Sequence, residues 1–185
     1  FNNTEHAANL FGLKEFGNIY SRLGNPTVGA LEARLTALEE GAMCVALSSG
    51  TSAVMYSLIN IMSQGDNFVT ANQLYGGTYT MFDNILPEYG INSKKVDITD
   101  LDAVKGAIDD KTRAIYCETI TNPGLVVADI AALADIAHSK GIPLIVDATF
   151  TTSAILKPFE YGADIVVYSL TKWMSGHGRV IAGAV

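Results

Sequence analysis

Residues 113–147 read RAIYCETITNPGLVVADIAALADIAHSKGIPLIVD. The apolar run RAIYCE (113–118) gives way to a stretch with helical period, then to a second apolar run, PLIVD (143–147). Within 128–140, Ile130, Leu133 and Ile136 share one face, Asp129 can cap the start, and Lys140-Gly141 marks the end. Both apolar runs are continuous rather than alternating, the pattern of strands covered on two faces. Strand, helix, strand in that order is a crossover between parallel strands.

The same alternation runs outward in both directions. Further strands are predicted at 43–47 (MCVAL), 68–71 (FVTA), 164–168 (DIVVY) and 179–185 (RVIAGAV). Helices are predicted over 28–40, where Val28, Leu31, Leu35 and Leu38 fall on one face, and over 52–63 and 78–86. Another is predicted over 99–108, opening at Thr99 and striped by Leu101, Val104 and Ile108. The fold class is therefore α/β, a mostly parallel, doubly wound sheet with helices on both faces.

Composition narrows the function. The chain has 185 residues, 49% hydrophobic, with a net charge of 12 − 19 = −7. That is enough apolar surface for a packed domain and the wrong sign for a general nucleic-acid or anionic-membrane binder. No apolar run reaches the ~18 residues that span a bilayer. Cys44 and Cys117 sit in apolar runs and read as buried free thiols, with no metal-ligand spacing. No secretory leader opens the chain, so a cytoplasmic location is expected. Both ends look cut, the first residue being Phe1 and the last lying inside VIAGAV.

In a doubly wound sheet, ligands bind at the carboxyl edge of the strands, so the polar residues that follow apolar runs matter most. The first strand runs into Ser48-Ser49-Gly50-Thr51 and a helix, a place where free N–H groups can hold an anion or where the chain simply turns. Neither GxGxxG nor GxxxxGK[ST] is present there, which removes the main support for a nicotinamide or ATP site. PLIVD ends in Asp147, a carboxylate that needs a partner if buried and otherwise caps a turn. DIVVYSLTK carries Ser169 and Thr171, hydroxyls at alternate positions, and Lys172 followed by Trp173. Lysine is usually a solvated residue, but as a neutral amine it attacks carbonyls. RAIYCE ends in Glu118, with Asn122-Pro123-Gly124 beyond it as turn or amide donor, and Tyr75 follows the FVTA strand where a ring could cover a flat ligand.

Taken together these residues describe one ligand: a flat, charged heteroaromatic ring bearing a phosphate and an aldehyde. The helix start and hydroxyls suit the phosphate, Asp147 a protonated ring nitrogen, Tyr75 the ring face, Asn122 a ring oxygen and Lys172 the aldehyde. That ligand is pyridoxal 5'-phosphate (PLP).

The chain resembles the Cys/Met-metabolism family of PLP enzymes, of aspartate-aminotransferase-like fold (fold type I). The resemblance runs through YSRLGNPT (20–27), SSGTSA (48–53), YGGTY (75–79), ETITNPG (118–124), VDATF (146–150), GADIVVYSLTKWMSGHG (162–178) and VIAGA (180–184). It implies Lys172 as the Schiff-base lysine and proton shuttle, Asp147 as the partner of the pyridine nitrogen, and Tyr75 as the stacking residue that also assists proton transfer or leaving-group departure. Gly50 and Thr51 by backbone, with Ser169 and Thr171 by hydroxyl, correspond to the phosphate cup. Asn122 corresponds to the asparagine at the phenolic oxygen, supported by Glu118. Tyr20 and Arg22 resemble a pair that reaches the phosphate of a neighbouring subunit, which implies a homodimer or homotetramer with shared sites. On this basis 1–40 is an N-terminal segment and helix serving the neighbour's site, and 41–185 is a PLP-binding α/β domain, truncated before a smaller carboxyl-terminal domain that holds a substrate-binding arginine.

The opening NNTEHAANLFGLKEFGNIYSR is similar to the O-acetylhomoserine sulfhydrylase branch. That implies γ-replacement of O-acetyl-L-homoserine by sulfide or methanethiol, giving homocysteine or methionine plus acetate. Alternatives are a methionine γ-lyase, disfavoured by Gly77, or a cystathionine γ-synthase, γ-lyase or β-lyase. From other classes come an inactive cofactor domain serving only in binding or assembly, and a nucleotide-binding module. Ala148, Ser153 and Arg179 depart from the family's usual Asn, Pro and Asp. His177 reads as a loop residue, His138 as a helix-end or surface residue, and no metal is expected.

Overall fold

The computed structural model describes residues 1–185, which form two compact units, Phe1–Ala46 and Leu47–Val185. The first unit holds α1 (Thr4–Phe11) and α2 (Pro26–Glu39). Asn3 caps α1 by accepting from His6 N–H at 2.8 Å, and Asn25 caps α2 by accepting from Thr27 and Val28 N–H. Pro26 fits the first turn of α2, where its missing N–H costs nothing. Of the face predicted on this helix, only Leu35 is buried; Val28, Leu31 and Leu38 remain 40–42% exposed. A unit of two helices and no sheet has no second layer of its own to cover that stripe.

The second unit is built on a parallel sheet. Its strands are β2 (Asn67–Ala71), β3 (Asn92–Val96), β4 (Thr112–Glu118), β5 (Leu144–Asp147), β6 (Ile165–Ser169) and β7 (Gly183–Ala184), in the order β7-β6-β5-β4-β2-β3. The two-residue β1 (Ala46–Leu47) lies at the unit boundary. Pairs β2–β3, β2–β4, β4–β5 and β5–β6 are parallel, and β6–β7 is antiparallel. Helices α3 (Gly50–Ile59), α4 (Gly76–Thr80), α5 (Leu101–Ala107), α6 (Ile130–Ser139) and α7 (Thr152–Ile155) connect the strands.

α6 keeps its predicted logic: Asp129 accepts from Ala132 N–H at 3.1 Å, Ile130, Leu133 and Ile136 are buried, and Gly141 follows at φ 67°. The core is dense around three rings, Phe68, Phe82 and Tyr116. Phe82 packs edge-to-face on both others, at 4.7 and 5.1 Å between centroids.

Several expectations are corrected. The strand expected at 43–47 is confined to Ala46–Leu47, because Ala46 N–H is taken by the Glu32 carboxylate at 2.9 Å and Met43 is exposed. Cys44 is only half-buried, whereas Cys117 is fully buried; both are free thiols. Burial and Glu32 and Glu39 push Cys44 up to about 11, and burial with Glu118 and Asp147 pushes Cys117 up to about 12. The strand expected at 179–185 pairs only at Gly183–Ala184, since Ala182 bonds Thr171 instead and Ile181 is exposed.

The helix expected at 78–86 starts at Gly76, passes into a π turn over Met81–Ile85 and then a 3-10 turn over Leu86–Tyr89, where Pro87 has no N–H for an α-helical ladder. α3 starts at Gly50 and ends at Ile59, earlier at both ends than predicted. α5 is capped by Asp100, not Thr99, whose N–H and hydroxyl both donate to Asp97. β3 was not expected: its sequence NSKKV is polar, as befits an edge strand.

Phe82→Ala should cost about 3–5 kcal/mol by emptying the centre of the ring cluster. A urea titration reads this directly; a loss below about 1 kcal/mol contradicts the packing.

Candidate active site

The carboxyl ends of the strands open onto a cavity of about 570 Å³, in the range that takes a small molecule. Gly50, Thr51, Tyr75, Glu118, Asn122, Asp147, Ser169, Thr171 and Lys172 all line it. They arrive from five separate stretches of chain. Sheet register does much of the alignment, because Glu118 ends β4 directly beside Asp147 at the end of β5.

Asp147 is held by its own loop. Thr149 N–H donates to Oδ1 at 2.9 Å, and the Tyr116 hydroxyl donates to Oδ2 at 3.3 Å. Burial pushes its pKa upward against those bonds, and no cation of the chain pairs with it. Burial, with Asp147 and Glu118 nearby, keeps the Tyr116 phenol protonated and so able to donate. Lys172 follows β6 in a turn fixed by Lys172 N–H to Ser169 O at 3.2 Å and Gly176 N–H to Lys172 O at 3.0 Å. Its amine meets no carboxylate. Amine and carboxylate thus line one cavity without pairing with each other.

At the start of α3, Ser49 caps by accepting from Ser52 N–H at 3.0 Å, and the Ser52 hydroxyl accepts from Ser49 N–H. The N–H groups of Gly50 and Thr51 keep no partner within the chain, as expected of a first helical turn. Gly50 is required by space: a Cβ would stand 2.5 Å from Ser169 Cβ. Gly183 is required likewise, since its Cβ would strike Ser49 O. Thr171 lines the cavity, but its hydroxyl donates to Ala182 O at 3.2 Å. The Ser169 hydroxyl is the freer of the two.

This donor set fits PLP. Unsatisfied N–H groups and a hydroxyl suit the phosphate, a half-buried carboxylate with no cation beside it suits a protonated ring nitrogen, and a half-exposed Tyr75 ring suits a flat face. Tyr20 and Arg22 line no part of this cavity. They belong to the first unit, where the Arg22 guanidinium lies 5.2 Å from the Tyr20 ring centre and bonds its hydroxyl. His177 is a loop residue bonded to Ser175 O, and His138, in the last turn of α6, meets Asp164 at 2.9 Å. Ala148 is fully buried with its N–H on Val167 O.

Sequence reasoning missed Thr149, which lines the cavity and joins two strand ends: its N–H holds Asp147 and its hydroxyl accepts from Ser169 N–H at 2.8 Å. The available signal was its position two residues after an aspartate, the spacing of an Asx turn. Thr78 and Ile181 were missed as well, being carried by a helix and a loop rather than a strand end.

Glu118 is pushed up to about 7 from an ordinary 4.5, by burial first and by Asp147, against its bonds to Tyr75 and Asn122 N–H. Between those values the folded chain binds more protons than the unfolded one, so this group makes stability fall as pH rises. Denaturation of the cofactor-free protein across that window should therefore show a downward slope that Glu118→Gln flattens. An unchanged slope in the variant rejects the burial argument.

A family profile described as "Cys/Met metabolism PLP-dependent enzyme" matches residues 1–185. Sulfhydrylase FUB7 of Fusarium oxysporum f. sp. lycopersici is 50% identical over 186 residues, covering 100% of this chain and 43% of the relative. The O-acetyl-L-homoserine sulfhydrylase of Leptospira meyeri is 48% identical over 185 residues, covering 100% and 42%. A solved Campylobacter jejuni structure named for O-acetylhomoserine (thiol)-lyase, carrying N'-pyridoxyl-lysine-5'-monophosphate, superposes with a TM-score of 0.93 at 43% identity, covering 100% of this chain and 45% of its own. The chain thus spans less than half the length of the relatives it matches. With that profile matching it over its whole length, the chain belongs to the Cys/Met-metabolism family of PLP-dependent enzymes.

Proposed function

We propose that this chain supplies the PLP-binding part of an O-acetylhomoserine sulfhydrylase, which replaces the acetoxy group of O-acetyl-L-homoserine with sulfide or methanethiol. The products are homocysteine or methionine, plus acetate. The observation that carries the reading is the lysine and the half-buried carboxylate lining one cavity without neutralising each other. The likeness to the Leptospira sulfhydrylase favours replacement over elimination.

In this reading Lys172 would hold the cofactor through its aldehyde, Asp147 would pair with its ring nitrogen, and Tyr75 would cover its ring. Gly50 and Thr51 N–H with the Ser169 hydroxyl would hold its phosphate, Thr171 would join them by turning its hydroxyl from Ala182 O, and the Asn122 amide would meet its ring oxygen. PLP, when bound, supplies an electron sink for charge that develops on the amino acid's α-carbon. Asp147 keeps that sink effective, because a carboxylate there favours the protonated ring nitrogen. The Lys172 amine, once displaced by substrate, would take the α-proton and pass it on, so becoming free to take a β-proton; acetate would leave Cγ with its bonding pair, sulfide or methanethiol would add at Cγ, and Lys172 would return the protons. The Tyr75 hydroxyl assists the leaving group. Tyr20 and Arg22 reach a neighbouring subunit's phosphate in a homodimer or homotetramer, residues 1–40 serving that contact and 41–185 holding the cofactor.

The full-length protein purified with PLP should absorb near the visible edge, and borohydride should fix the cofactor on the peptide holding Lys172. Lys172→Ala should abolish both. A colourless protein that takes up no PLP rejects the reading. Acetate release from O-acetyl-L-homoserine should require sulfide and yield homocysteine; release with 2-oxobutyrate and ammonia in its absence identifies a lyase instead. Asp147→Asn should slow turnover about 100-fold, the worth of a strong charge-assisted bond.

A further inference from the structure

We infer that Glu118 is a positioning residue whose single carboxylate ties the loop carrying Tyr75 and the loop carrying Asn122 into one wall of the cavity. The inference rests on the proposed function only for the identity of the ligand which that wall faces.

Glu118 ends β4 and is 5% exposed. Its Oε1 accepts from Tyr75 N–H at 2.7 Å, and its Oε2 accepts from Asn122 N–H at 3.0 Å. One side chain therefore fixes two backbones, one following β2 and the other following β4. The same two loops meet at a second point: a Cβ on Gly124 would strike Gln73 Oε1, so the Gln73 side chain lies directly over the Gly124 backbone.

The choice of residue follows from donor and acceptor counting. An ionised carboxylate offers only acceptors, one oxygen for each N–H. Gln would keep one bond and turn its NH₂ toward the other N–H, donor against donor. Asp would not have the reach to serve both loops from the same backbone position. The groups that face Glu118 are Asp147 on β5 and Tyr116 and Cys117 on its own strand, and none is a cation. Two backbone dipoles, in place of a salt bridge, favour the charged form against the burial that pushes this group up to about 7. Asp147 is left to face the cavity with its own, separate support from Thr149. The wall that Glu118 fixes presents the Tyr75 ring and the Asn122 amide, which in the proposed function touch the cofactor from its face and its edge.

Amide hydrogen exchange on the full-length protein without added cofactor tests this. In Glu118→Gln, the Tyr75 and Asn122 amides should exchange about tenfold or more faster, with Val69 and Ile115 in the strands unchanged. Unaltered Tyr75 and Asn122 exchange, or equal acceleration of the strand amides, overturns the inference. If the variant does not fold, the wild-type protein serves. The amide proton shifts of Tyr75 and Asn122 should titrate with the Glu118 carboxyl carbon at a common midpoint, and separate midpoints overturn it. PLP affinity, read by absorbance, should fall about tenfold in Glu118→Gln. A wild-type protein that binds no PLP defeats the proposed function while leaving the exchange result to stand or fall alone.

Discussion

Asp147 ends a buried strand with its carboxylate turned into a cavity, held by one N–H at 2.9 Å and one phenol at 3.3 Å, with no cation to meet it. A charge in that place is costly, and its upward-shifted pKa expresses the cost. A chain retains such a group when something outside the chain completes it. The arrangement around Asp147 is consistent with that. Tyr116 is kept protonated and donates, Thr149 orients the other oxygen, and the Lys172 amine lies on the same cavity without neutralising it. In the proposed function that arrangement would accept a cationic ring while leaving the amine unengaged.

What makes that geometry possible is sheet register. Glu118 pairs with Asp147 across β4 and β5, so two strand ends present carboxylates at one level, while β6 runs two residues past Val167, the partner of Asp147, to Ser169, which meets Thr149. Helix α3 then closes onto β6 and β7 through contacts that tolerate no side chain. Gly50 sits against Ser169, and Gly183 sits against Ser49 O. The ring cluster of Phe68, Phe82 and Tyr116 lies beneath, and Tyr116 belongs to both systems: its ring packs on Phe82 and its hydroxyl supports Asp147. Core packing and site electrostatics are thereby coupled through one side chain.

The sheet and most of the site could be read from residues alone, because burial on both faces leaves continuous apolar runs and the polar residue after each run is forced to the carboxyl edge. Asp147, Lys172 and Ser169 were visible for that reason. Thr149 was not, since its function lies in a backbone N–H and a hydroxyl bridging two strands, and any loop threonine looks the same in sequence. β3 escaped because an edge strand with two lysines has no apolar run to betray it. Strands 43–47 and 179–185 were overdrawn because apolar residues there serve other contacts: Ala46 meets Glu32, and Ala182 meets Thr171. The face of α2 was legible as a stripe, but a stripe does not say what will cover it.

Charge poses the last question, since the chain is acidic by seven units and the proposed cofactor is a phosphate ester. Long-range attraction works against such a ligand, and no lysine or arginine other than Lys172 lines the cavity. Within one chain the groups suited to the phosphate are short-range and directional: the two unpartnered N–H groups of Gly50 and Thr51, the positive end of a ten-residue helix, and the Ser169 hydroxyl. These act at contact distance and are little weakened by salt, because a buried dipole is not screened as a surface charge is. They also leave Lys172 uncommitted to the phosphate. In the proposed function the donors that this chain offers its own phosphate would all be neutral, and the cation would come from Arg22 of a neighbouring subunit.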